Sequence, residues 1–219
     1  TVGAAVWDVN SALNFPNKHP LCVSMDKGAL SDVDLVLGLD VRDWHRPTFD
    51  YDEHRHEMKP LVRPDCNWIE MGMAEIGISK WATDYGKAQP CSIRALGDTS
   101  LSIPAVTDIC SAIISQKPEL QAKIASRKER IGTRHNQVWD KWQTEARRDW
   151  DSAPMTPARL ALEVWDVVKD EDWVLTANTL KTWVRKLWDF DKPYRHPGCD
   201  IGTSTQIGIS LGVAMAHKK

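Results

Sequence analysis

Two short stretches near the end of the chain hold residues suited to a phosphorylated ligand. The first is Thr176-Ala-Asn-Thr179, where an apolar run gives way to a helical pattern. In open α/β sheets ligands bind at the carboxyl ends of strands. The free N–H groups of a following helix then favour an anion such as a diphosphate. Asn178 and Thr179 add side-chain donors there, although the same residue types also serve as plain helix caps. The second stretch runs from Gly198 to Gln206 and includes Gly202, Thr203, Ser204 and Thr205. Glycine lets a backbone approach a ligand closely and the hydroxyls can bond it. The stretch therefore reads either as a cofactor cradle or as an ordinary loop. Gly208 and Gly212 follow four residues apart, a spacing that allows close helix packing.

His54 and His56, flanked by Glu53 and Glu57, could be drawn as a metal cluster, but spacing of two residues in a polar loop is a poor ligand template. His19, in a Pro-rich segment, reads as structural, and no nucleophile–histidine–acid triad can be assembled.

The elements that would position these residues can be read from hydrophobic patterning. Asp32 to Asp40 is a short apolar run ending in Gly and Asp, as expected of a buried parallel strand with a functional edge. Asn67 to Gly72 and Cys91 to Asp98 read as two more strands. The stretches Arg42 to Pro64 and Ala74 to Pro90 are polar and Pro-punctuated, and are expected to be loops with a helical turn. Pro104 should open a helix reaching Ile114, with Val106, Ile109, Cys110 and Ile113 on one face. Pro118 should start a long helical stretch to Trp150, weakened at Gly132. Its basic pairs, Arg127-Lys128 and Arg147-Arg148, read as a solvated face. Thr156 and Pro157 then make an N-cap and first helical position. Trp173 to Thr176 is expected as a strand, Thr179 to Trp188 and Gln206 to His217 as helices. Strands alternating with helices and long connections argue for an α/β layered fold with a parallel sheet. The boundaries fall at residues 1–117, a helical linker at 118–153, and 154–219.

Composition bounds the function. With 28 basic and 30 acidic residues the net charge is −2, which gives no reason to expect nucleic acid as a partner. No apolar run is long enough to cross a bilayer. Five cysteines without CxxC pairing suggest reduced thiols, a cytoplasmic setting and no zinc. The start at Thr1, with no basic leader and no initiator Met, reads as internal. The 11 tryptophans read as core or interface anchors.

From Thr156 onward the chain resembles the opening of the C-terminal domain of thiamine diphosphate (ThDP) enzymes of the acetohydroxyacid (acetolactate) synthase-like group. In that group a short turn before a Trp-containing helix binds diphosphate. The matching positions are Asn178, Thr179 and Leu180, ahead of Trp183. The family's glycine loop, which supports the bent cofactor and contacts its aminopyrimidine, matches Gly202, Thr203 and Ser204. The residue types differ at the turn, and Thr203 stands where the family has a bulky apolar residue. Upstream, "LNFPNKHPL", "DVDLVLGLDVRD", "WIEMGMAEIG" and "RALGDTSLSIPAV" are similar, in order, to segments of the family's central domain. The ordered set covers most of the chain.

The resemblance implies a Rossmann-like central domain followed by part of a second α/β domain that binds ThDP. It implies decarboxylation or carboligation of 2-oxo acids or related acyl donors. It places the Mg²⁺ ligands and the activating Glu outside this chain, in the remaining domains and a second subunit of a homodimer or tetramer. FAD is a further candidate cofactor, because Glu70 and Asp98 match acids near the adenosine of flavin-dependent relatives. The alternative is a non-catalytic subunit for assembly or for binding an FAD- or CoA-type nucleotide.

Overall fold

The computed structural model describes residues 1–8, 13–41, 44–52, 54–74, 89–176, 180–197 and 205–217. The chain divides into two compact units. The first comprises Thr1–Val9 and Ser24–Arg127, and the second Asn10–Val23 and Lys128–Lys219.

The first unit is a small α/β domain. Its strands β1 (Leu35–Leu39), β4 (Asn67–Gly72) and β5 (Ile93–Leu96) form a parallel sheet in the order β1-β4-β5. Leu37 is in register with Ile69, and Ile69 with Ile93. Between β1 and β4 lie a short helix α1 (His45–Thr48) and an antiparallel hairpin of β2 (Phe49–Asp52) and β3 (Glu57–Pro60). One sheet face is apolar because Val36 and Trp68 pack with Leu30, Val62 and Cys66. Trp44 closes on Trp68 edge-to-face at 5.3 Å. The opposite face leaves Leu35, Leu37, Leu39 and Ile93 exposed.

Helix α2 (Thr99–Ser115) begins five residues before the Pro104 that patterning takes for its start. Asp98 explains the difference: its carboxylate accepts the Ser100 backbone N–H at 2.8 Å and caps the first turn. Pro104 is carried inside the helix, where it forgoes one bond near the N-terminal end. Helix α3 (Pro118–Ala146) is continuous through Gly132 and contains the boundary between the units. Leu120, Ile124, Ile131, Val138 and Trp142 form its half-buried face.

The second unit is helical among its described residues. It holds the end of α3, then α4 (Pro157–Val168), α5 (Lys181–Leu187) and α6 (Thr205–Ala216). Helix α4 starts where the sequence indicates, with Thr156 Oγ1 accepting the Arg159 N–H at 3.1 Å and Pro157 at the first position. Its apolar face meets a core of Ala158, Ala161, Leu162, Val184, Leu187, Trp188 and Phe190. The tryptophans make the centre. Trp173 meets Trp188 and Phe190 edge-to-face at 5.1 and 5.3 Å, and Trp165 stacks on Trp188 at 5.4 Å. Trp188 Nε1 donates to the Ala161 carbonyl at 2.7 Å, so its polar edge is satisfied inside the core. Trp173 to Thr176, expected as a strand, pairs in no ladder among the described residues. The Leu175 N–H donates to the Arg195 carbonyl at 2.8 Å. No helix among the described residues is long and apolar enough to cross a membrane.

Candidate functional site

In the first unit, the carboxyl edge of the parallel sheet is organised by Asp40. This residue follows β1 in a left-handed conformation, with φ of 50°. Its N–H donates to the Met71 carbonyl at 3.0 Å. Its Oδ1 accepts the Met73 N–H at 2.7 Å, and its Oδ2 accepts the Thr99 hydroxyl at 2.6 Å. One side chain thus ties the ends of β1 and β4 to the start of α2. Asp98 stands beside it as the α2 cap, its carboxyl held below the usual carboxylate range by hydrogen bonds from the Ser100 hydroxyl and backbone N–H. The N-terminus of α2 is therefore supplied with carboxylate, and a further anion there would meet like charge.

Glu70 lies in the middle of β4 and is only 5% exposed. Arg94, on the neighbouring β5, donates to its Oε2 from Nε at 3.1 Å and approaches from Nη2 at 3.0 Å. Trp44 Nε1 donates to Oε1 at 3.4 Å. A buried carboxylate needs such partners, and these take up the group that the sequence offers for an adenosine contact. Cys91 Sγ lies 3.8 Å from the same carboxylate and 3.2 Å from the Gln89 carbonyl.

In the second unit, Asn178, Thr179, Gly202, Thr203 and Ser204 lie outside the described residues. Leu180 immediately precedes α5, makes no side-chain cap, and packs against the tryptophan core. The Thr176 hydroxyl, just before Asn178, is 2.8 Å from the Ser210 hydroxyl on the second turn of α6. Gln206, on the first turn of the same helix, buries its side-chain amide with neither Nε2 nor Oε1 partnered among the described residues. Orphaned buried amides are rare in native folds and fit a polar ligand at this end of the helix. Ser210 gives no signal in the sequence, being one small residue in a small-residue helix.

The other candidates resolve into structural roles. His19 Nδ1 accepts the Leu21 N–H at 3.1 Å, and its ring sits edge-on to Phe15. His56 pairs with the Tyr51 hydroxyl at 2.8 Å across the hairpin. No group of three or more His, Cys, Asp or Glu suited to a metal occurs among the described residues. Cys22, Cys66, Cys91 and Cys110 form no disulfide among the described residues, and burial pushes the Cys66 thiol up.

Comparison with protein-family models, curated proteins and solved structures found no significant match.

Proposed function

We propose that the chain forms the central domain and the first half of the diphosphate-binding domain of a ThDP-dependent enzyme that decarboxylates or carboligates 2-oxo acids or related acyl donors. The observation that carries this reading is the Thr176–Ser210 contact. A cofactor held between the Thr176–Leu180 turn and the Gly202–Ser204 loop needs these parts of the chain close together, and Thr176 at the start of the turn is in hydrogen-bond contact with Ser210 on the helix that follows the loop. Support also comes from the parallel sheet. Strands β1, β4 and β5 fall on three of the four segments that resemble the central domain, in the same order, while the fourth, residues 13–21, belongs to the second unit.

The orphaned amide of Gln206 and the paired hydroxyls fit a polar cofactor. Thr176, Ser210 and Gln206 would orient it. ThDP itself supplies the carbanion-stabilising chemistry when bound. Under this reading the Mg²⁺ ligands belong to sequence after Lys219. The corresponding gene should encode a Gly-Asp-Gly segment followed by Asn within the next strand and turn. A gene that continues without them overturns the assignment.

A second reading, a non-catalytic assembly subunit, is favoured by exposed apolar surface. Helix α6 carries no charged residue and exposes Ile207 (78%), Leu211 and Met215. Contiguous apolar patches of this kind mark contact surfaces. Purified protein that assembles with a partner but shows no ThDP-dependent turnover would support this alternative.

A further inference from the structure

We propose that the first unit pairs with the first unit of a second copy of this chain, the open face of each parallel sheet being covered by helix α2 of the other. The sheet supplies one surface. Leu37 is in register with Ile69 and Leu39 with Met71, and Ile69 with Ile93, so these side chains share one face with Leu35. Within the three strands that face carries no charge, its other members being Asn67 and Ala95. Leu35, Leu37, Leu39 and Ile93 are exposed, Ile93 by 56%. Parallel sheets are ordinarily covered on both faces, and here the packed face is the one that carries Val36 and Trp68.

Helix α2 supplies the other surface. In 17 residues it has one charge, Asp108, and no buried residue. Its half-buried positions, Ser102, Val106, Cys110 and Ile114, recur at helical spacing and mark its inner side. Leu101 and Ile109 project from the other side, exposed by 73% and 60%, and Ile113 flanks them. A helix this apolar is ordinarily buried, yet α2 belongs to neither hydrophobic cluster. One unit thus holds a sheet face without a helix and a helix without a sheet. Two copies related by a two-fold axis satisfy both at once, because the same contact is made twice. Half-exposed leucine and isoleucine side chains leave on the order of 80 Å² open apiece, so the pairing buries about 600 Å² per copy and about 1,200 Å² in all, within the range of specific interfaces. With Asp108 the one charge on the two surfaces, an equally apolar surface is their match, and a charged partner is not. The contact requires no ThDP.

The test is sedimentation velocity of the whole chain over a concentration series. Wild type should pass from monomer to dimer as concentration rises. Leu37→Glu on the sheet and Ile109→Lys on α2 each place a charge in the contact, and each should weaken self-association at least about thirtyfold. Both positions are exposed in the single chain, so circular dichroism of each variant should match wild type. Mixing the two variants should restore the dimer, because one contact is then unaltered and the other opposes the two new charges. Should Leu37→Glu fail to fold, Ile109→Lys decides alone. A wild-type chain that is monomeric at every concentration overturns the pairing, as does a dimer undiminished in either folded variant. Dimers lost in both variants and not restored by mixing overturn the reciprocal arrangement.

Discussion

Gly38 lies directly under the indole of Trp44: a Cβ on Gly38 would come within 2.0 Å of Trp44 Cη2. The ring can cover β1 and reach Glu70 with its Nε1 because this one strand position has no side chain. Gly38→Ala should therefore expel Trp44, leave Glu70 with one partner fewer, and cost about 3 kcal/mol. Urea denaturation followed by tryptophan fluorescence would measure it. A midpoint equal to wild type would mean that the indole can shift without loss.

At the carboxyl edge the constraint is Gly72, whose φ of 149° is accessible to glycine and whose added Cβ would lie 2.3 Å from Asp40 Oδ1. Gly72→Ala should cost about 2–3 kcal/mol through strain and clash. Asp40→Ala removes both side-chain bonds, to Met73 N–H and to the Thr99 hydroxyl, and should cost about 2 kcal/mol. The double variant should cost less than the sum, because once the Asp40 carboxylate is gone a Cβ at position 72 no longer strikes it. Strict additivity would sink the account of this edge.

Arg195 is 5% exposed and joins four groups at once. Nε donates to Asp191 at 2.9 Å, Nη1 to Asp172 at 3.1 Å and to the Trp173 carbonyl at 2.7 Å, and the guanidinium lies 4.5 Å from the Trp173 ring centre. Arg195→Met keeps the apolar stem but loses all of these, and should cost about 2–3 kcal/mol. Arg195→Lys should recover only part, since an ammonium cannot reproduce the planar fork. Thermal unfolding of the two variants would check the order; full recovery by Lys would show that charge alone matters.

The same cluster predicts acid sensitivity. Asp172 is held below its ordinary value of 3.8 chiefly by the Tyr194 hydroxyl, then by Lys192 and Arg195. Asp98 is lowered by its Ser100 bonds. A carboxyl lowered on folding contributes stability that is complete above its unfolded value and is lost as pH falls through the folded one. Urea midpoints should be flat from pH 7 to pH 5, then decline from about pH 4 downward. Asp172→Asn should start lower at pH 7 and lose part of that decline. Equal slopes in variant and wild type would remove Asp172 from the account.

Parts of this arrangement were legible in the sequence because they are local. Strand Asn67–Gly72 has the residues expected, and Thr156 with Pro157 fixes the start of α4. The hairpin of β2 and β3 was not legible: its strands have four residues each, mostly exposed, with Pro60 at one end, so no alternation marks them. Trp173–Thr176 has strand-like residues, but Trp173 and Leu175 are buried in the tryptophan core, where tertiary contacts outweigh propensity. Glu70 was picked out by the family resemblance, but its capture by Arg94 depends on strand order, which one strand cannot reveal. The excursion of residues 10–23 into the second unit is likewise a long-range choice. Asn17 meets partners 168 to 173 positions away, and nothing in its neighbourhood signals them.

The most direct test of the proposed function is calorimetric titration of the full-length protein with ThDP, with and without Mg²⁺. Saturable heat that requires Mg²⁺, and is weakened at least about tenfold in Gln206→Ala, is the predicted result. Absence of ThDP binding by a folded full-length protein with Mg²⁺ present would contradict it.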